Sequence, residues 1–424
     1  MMGFDGLPYL ARSTFRHEQR ALIAASLGLA IAMDGFPQLF LKKGFSGSDW
    51  LLPVLVACKP AASLVAALGT HLLRRWRQSS VAAGCMFVGA AATAAVPCLP
   101  LREAWAPLFT GLTIIATTAV MVSVQARAAI WHANYPAGTR GGIVSRNFIL
   151  QTILMAAFAQ SVGAALDLSR ESYRLIYVVG AVSFFIAGRQ FRQIRVRRES
   201  LRLRRDARNR QRVHPLAVLG VLRRDRRFAW YMTLQMILGG ANLMVLPLVP
   251  KILTDVFGVS YSSGNLALVA APQIAQLLTI PALGGLFDRT SIFRFRALGA
   301  VVAASSRGVL GGAVVFVTMP LLILSQFILG ASQSFGRLAW SMGHMAFGGE
   351  DDTHLYMGAH LLLTGLRGMT MPFVGIFLYN SGLGMDLIWM VCALQSVAAL
   401  GYWATTRYDK RKAAETPAPS RAAP

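Results

Sequence analysis

Charge is scarce in this chain, and negative charge scarcer still. Only 14% of its 424 residues are charged, against about 25% in an ordinary soluble domain, and 18 acidic residues face 42 basic ones. Cysteine is limited to Cys58, Cys85, Cys98 and Cys392. Their spacing fits neither a disulfide framework nor a metal motif, so they read as small buried apolar residues. No phosphate-binding loop is present, which excludes ATP-driven work within the chain. No nucleophile–base–acid order stands out either, so neither an enzyme nor a bound cofactor or metal is expected. Between the first apolar run and the last, long polar interruptions are missing too, save one between residues 190 and 228.

In their place are apolar runs, which make up most of a composition that is 55% hydrophobic. About 20 apolar residues are what one helix needs to cross the hydrocarbon core. The runs fall at 21–41, 51–72, 80–99, 105–127, 144–166 and 173–190. After the polar interruption they resume at 228–250, 264–286, 297–318, 320–342, 357–379 and 385–406. The first run lacks a small-residue cleavage pattern behind it and reads as a retained span. The expected fold is an all-α polytopic membrane protein with twelve transmembrane helices in two six-helix, pseudo-symmetric halves. The expected divisions are an N-terminal tail over 1–20, a first half over 21–190, a basic linker over 191–227, a second half over 228–406 and a disordered tail over 407–424.

The placement of lysine and arginine tests this count. With both termini inside, 30 of the 42 fall in inside segments, six in outside segments and six within spans. Such retention on the cytoplasmic side orients the chain with both termini in the cytoplasm, in a membrane such as a bacterial inner membrane. It also explains the formal net charge of +24 without invoking nucleic acid. Fifteen arginines lie between Arg189 and Arg227, against Glu199, Asp206 and Asp225. That linker enforces topology and can also grip anionic lipid headgroups. After Pro215, residues 216–227 are expected to form a short amphipathic helix along the membrane.

The halves also share landmarks. Gly69-Thr-His-Leu-Leu-Arg74 follows the second run, and Gly284-Gly-Leu-Phe-Asp288-Arg289 follows the eighth, with Arg74 and Arg289 separated by 215 residues. His132 and His344, near the ends of the fourth and tenth runs, are 212 apart. Transporters are commonly built from such repeats, with the substrate near the midplane between them. The twelve runs, the basic central linker and these loops resemble the major facilitator superfamily, as does Asn134-Tyr-Pro-Ala-Gly-Thr-Arg140-Gly before the fifth run. The family signature, roughly G-x-x-x-D-R-x-G-R-R, keeps Gly284, Asp288 and Arg289 in the second copy. The first copy keeps Gly69 and Arg74 but has Leu73 in place of the acid. The resemblance covers roughly 20–406. It implies a monomeric secondary transporter of a small molecule, with these five loop residues as a conformational latch.

Ionisable residues inside spans are functional candidates, because burying charge in lipid is costly. Asp34 is the only acid well inside an expected run. It lies about 10 Å below the outer edge, and Lys59 about 12 Å below it on the adjacent span. They read either as a structural ion pair or as a proton-coupling carboxylate with a gating lysine, with Pro37 and Pro60 loosening the backbone nearby. Arg337 and Arg367, with Arg307 as a weaker third, suggest an anionic substrate, because guanidinium binds carboxylate or phosphate bidentately. Gln125 and His360 complete the candidate site. His360 with His344 and the 17 methionines also raises a metal-ion cargo as an alternative. A non-transporting sensor or assembly protein on the same scaffold is another.

Overall fold

The computed structural model describes residues 8–33, 35–68, 76–201, 203, 220–347 and 353–415. No β-strand occurs among them. In lipid every backbone polar group must be satisfied within its own segment, which leaves helices as the only open-ended solution. In the first half these are α1 (Tyr9–Ala32), α2 (Phe36–Gly44), α3 (Leu51–Leu68), α4 (Gln78–Ala95), α5 (Ala106–Asn134), α6 (Ala137–Leu168) and α7 (Ser172–Arg192). The second half contains α8 (Arg226–Val245), α9 (Tyr261–Arg289), α10 (Ile292–Phe316), α11 (Met319–Met342), α12 (Thr353–Leu378) and α13 (Asp386–Glu415).

Ten helices among the described residues are long and apolar enough to cross a membrane. The first expected run is represented by α1 and α2, bent by 44° relative to each other, and the second by a shorter apolar helix. Helix starts carry their usual signals. Pro37, Pro107 and Pro320 occupy first-turn positions, where a missing N–H costs nothing. The side chains of Asp225, Ser260 and Ser291 cap α8, α9 and α10. Val317, left-handed at φ 49, makes the tight turn from α10 to α11.

The bundle has two ends. The linker leaves from one, here the linker end; the loop between α2 and α3 marks the other, the far end. Exposed apolar side chains form lipid-facing stripes, as with Leu175, Val178, Val182 and Phe185 on α7. Exposed Trp50, Trp105 and Trp389 sit toward the far end and Trp76 and Trp230 toward the linker end, as interfacial belts require. Small residues let helices touch within the second half: a Cβ on Gly330 would run into the Pro272 carbonyl, and one on Gly375 into that of Met244. These are the close backbone approaches that membrane bundles favour.

The described part of the expected 216–227 amphipathic helix is Gly220–Arg224. Val221 is buried there against the second half's core, with Leu222 partly so. Val221 and Leu222 thus have a protein partner, and residues 216–219 of that expectation lie outside the described residues. At the N-terminus, α1 begins at Tyr9, twelve residues before the apolar run at 21.

Candidate functional site

The halves meet through α3 with α12, through α6 with α9, and through α2 with α9 and the turns after α8. Small residues make this contact possible. Gly368 lies against Pro60 and Gly365 against Leu64, and a Cβ on Gly163 would come 2.7 Å from the Ser262 backbone. The hydrogen bonds and ion pairs described between the halves all lie toward the far end. Asp49, in the loop before α3, accepts from Lys42 at 2.6 Å and from Lys251 of the other half at 2.7 Å. Lys251 also reaches Asp255 at 2.8 Å. Burial alone would raise the Asp49 carboxyl, but the hydrogen bonds from Lys251 and Lys42 outweigh it and hold it below the usual carboxylate range.

Beside this network, Asp167 near the end of α6 accepts from the backbone N–H groups of Tyr261 and Ser262 at 2.6 and 2.9 Å, and from the Ser262 hydroxyl. A carboxylate there satisfies orphan donors and meets the positive end of the α9 dipole. Lys43 donates to the Val259 carbonyl and lies 4.7 Å from the Tyr261 ring centre. Asn265 donates to the Ala159 carbonyl at 2.7 Å. Tyr261 also joins a first-half aromatic cluster, 6.3 Å from buried Phe40.

Toward the linker end, the helices carry glycines that touch nothing. Gly141 and Gly142 on α6, and Gly284 and Gly285 on α9, would each place a Cβ in open space. The far-end parts of the same two helices are in tight contact through Gly163. The described hydrogen bonds and ion pairs between the halves thus gather at the far end; α3 and α12 stay in contact through Gly365 and Leu64, and the four linker-end glycines of α6 and α9 face open space.

Each half has its own buried polar hub. In the first, Glu18 on α1 is 1% exposed and fully engaged. It accepts from Arg127 at 3.1 Å, from the Trp131 indole, and from the Tyr135 hydroxyl at 2.7 Å. Asn134 bonds Thr14 and the Arg195 carbonyl and accepts from the Arg197 N–H, fixing the start of the linker to α5. In the second half, Gln235 on α8 takes the central place. Its side-chain oxygen accepts from Arg296 at 2.6 Å and from Tyr402 at 3.1 Å, while Arg367 donates to its backbone carbonyl. Arg307, fully buried, donates to Asn242. Among the described residues none of these three arginines has a carboxylate within salt-bridge distance.

Of the residues singled out from sequence, Arg367 and His360 are buried on α12, His360 with its ring 6.3 Å from that of Trp340. Lys59 is exposed on α3 next to Pro60, so it and Arg367 each stand one residue from the Pro60–Gly368 contact. Gln125, Arg337, Asp288 and Arg289 are exposed, and Gly284 lies open as described. Asp34, Gly69 and Arg74 lie outside the described residues. Among the described residues no three His, Cys, Asp or Glu side chains gather as metal ligands. Sequence reasoning missed Glu18, Asp49, Asp167 and Asp255, which sit in tails, loops or span edges. Their scarcity was the available signal, since each is one of only 18 acids.

No protein-family model matches the chain, and no curated protein matches it. Solved structures do. A mutant form of the nucleoside transporter NupG superposes with a TM-score of 0.72 at 13% identity, over 92% of this chain and 99% of that one. The xylose transporter XylE from E. coli, in an inward open conformation, gives 0.64 at 14%, over 93% and 95%. A POT family transporter in complex with 5-aminolevulinic acid gives 0.67 at 11%, over 96% and 98%. The chain shares the fold of these solved transporters. At these identities the likeness speaks for the fold alone and leaves the cargo open.

Proposed function

We propose that the chain is a secondary active transporter, carrying a small solute by alternating access between its two halves. The observation that carries this reading is the one-sided bonding between them: the described hydrogen bonds and ion pairs across the seam gather at the far end, while Gly141, Gly142, Gly284 and Gly285 face open space at the linker end. With the arginine-rich linker in the cytoplasm of a bacterial inner membrane, and both termini with it, this is an inward-facing state. The central linker then lies where anionic headgroups are available to it, and the chain works as a monomer.

The solute is a small anion. Arg367, which among the described residues has no carboxylate within salt-bridge distance and no hydrogen-bond partner for its Nε, provides the counter-charge; Arg337, Lys59, Gln125 and His360 complete the passage. Asp34 supplies proton coupling. Gly69, Arg74, Gly284, Asp288 and Arg289 form the linker-end latch of the opposite state. Nucleoside, xylose and peptide transporters among the structural neighbours support transport of small solutes without choosing among them.

The test is a thermal-shift screen of purified protein against anionic, neutral and cationic metabolites and divalent metals, above and below neutral pH. Hits go on to counterflow in proteoliposomes. An anion that stabilises the wild type and exchanges across the vesicle, with a pH dependence lost in Asp34→Asn, is the expected result. Stabilisation by metals alone would replace the anion with a metal-ion cargo. A flat screen with Asp34→Asn indistinguishable from wild type would sink transport in favour of a sensor or assembly role.

A further inference from the structure

A cleft of mixed apolar and cationic lining lies on the outer surface of the first half. On α7, Val178, Val182, Phe185, Arg189 and Arg192 follow at intervals of three or four residues, so they share one face. All five are exposed. The stripe is apolar where it lies deep in the bundle and cationic where α7 ends. At that transition, Phe87, Phe185, Arg189, Arg192 and Gln193 line a cleft of about 570 Å³. Its back wall is aromatic, with Phe87 and Phe185 5.3 Å apart between ring centroids.

The cleft is built on fixed parts. Gly188 brings α7 against α4 so closely that a Cβ there would meet the Phe87 ring at 2.6 Å. Just beyond, Ile194 is buried at 4% exposure, and the chain over 195–197 is bonded to Asn134. Among the described residues neither Arg189 nor Arg192 has a carboxylate within salt-bridge distance. Two guanidinium groups one turn apart, above an apolar wall, match a phosphodiester joined to acyl chains. Guanidinium pairs bidentately with phosphate oxygens, and basic pockets at the ends of membrane helices suit anionic headgroups.

We propose that this cleft holds one anionic glycerophospholipid, its phosphate between Arg189 and Arg192 and an acyl chain along Phe87, Phe185 and Val182. The site does not depend on what the halves carry. A lipid seated there bears on the segment after α7 that Asn134 anchors, and so holds the start of the linker at the membrane surface.

Native mass spectrometry of delipidated full-length protein, titrated with phosphatidylglycerol or phosphatidylcholine, tests it. One phosphatidylglycerol is expected to be retained by the wild type, with phosphatidylcholine lost. Arg189→Gln with Arg192→Gln should weaken retention at least about tenfold, the effect of losing one charge-assisted pair. Arg223→Gln with Arg226→Gln removes equal charge from exposed positions elsewhere and should leave retention unchanged. Phe185→Ala should weaken lipid retention while leaving the guanidinium pair intact. Equal loss in both double variants, equal retention of phosphatidylcholine, or displacement by inorganic phosphate at equimolar concentration would each overturn the proposal. The last would mark a free-anion site instead.

Discussion

The two halves solve the same electrostatic problem differently. Each buries guanidinium among its helices, where an uncompensated charge is costly. The first half answers with a carboxylate: Glu18 faces Arg127 and takes two further donors from Trp131 and Tyr135. The second answers with an amide and backbone carbonyls. Gln235 serves Arg296, Tyr402 and Arg367, and among the described residues the Nε of Arg296, Arg307 and Arg367 has no hydrogen bond. The first hub is neutral and saturated. The second is positive and has donors to spare. A half that is finished by itself acts as a frame, whereas one that lacks a counter-ion is suited to receive an anion.

The largest effect should come from breaking the saturated hub. Glu18→Gln strands Arg127 and should cost about 3–5 kcal/mol, read as a large drop in melting temperature in detergent. Adding Arg127→Gln should recover much of that loss, since the pair is then removed together. Supplying the missing carboxylate comes next. Gln235→Glu places an acceptor beside Arg296 and should raise stability by about 1.5–3 kcal/mol, the range of hydrogen bonds to charged groups. It should also abolish stabilisation by an added anion; if anion binding persists unchanged, the second hub is not where anions act.

Smaller changes test the seam between the halves. Asp167→Asn weakens the cap on α9 and should cost about 0.5–2 kcal/mol, seen as greater labelling of far-end cysteines. Asp49→Asn should have the smallest effect, below about 1 kcal/mol for a partly exposed pair. The Asp49 carboxyl is held below its usual range, so its contribution is present above the unfolded value and is lost as pH falls through the lowered one. Far-end labelling should therefore be flat around neutrality and increase only below about pH 4.

The helical architecture was legible because length and apolarity leave so few alternatives in lipid. The hubs were not. Hydropathy placed Glu18 in a tail, since Arg12, Arg16, His17 and Arg20 dilute the stretch around it. Yet Ala11, Phe15, Glu18, Leu22 and Ala25 are all buried, a helical stripe that average hydropathy cannot detect. Its partner Arg127 is 109 residues away, a pairing only the folded chain reveals. Arg367 was legible as a charge inside an apolar run, but its seat on Gln235 was not, because a backbone carbonyl leaves no trace in sequence. The far-end acids Asp49, Asp167 and Asp255 carry no sequence signal of their own, because nothing local distinguishes an acid that bridges the halves from one that faces water.

The vacant space beside Gly141, Gly142, Gly284 and Gly285 offers a doorstop. A Cβ at Gly284 would meet nothing within 4 Å in the conformation seen here, so Gly284→Ala should leave the melting temperature where it is and a larger side chain extends from the same open position. Any motion that brings the linker ends together would have to close on the added bulk. Such a substitution reports on a state by jamming it, leaving the resting state as its own control.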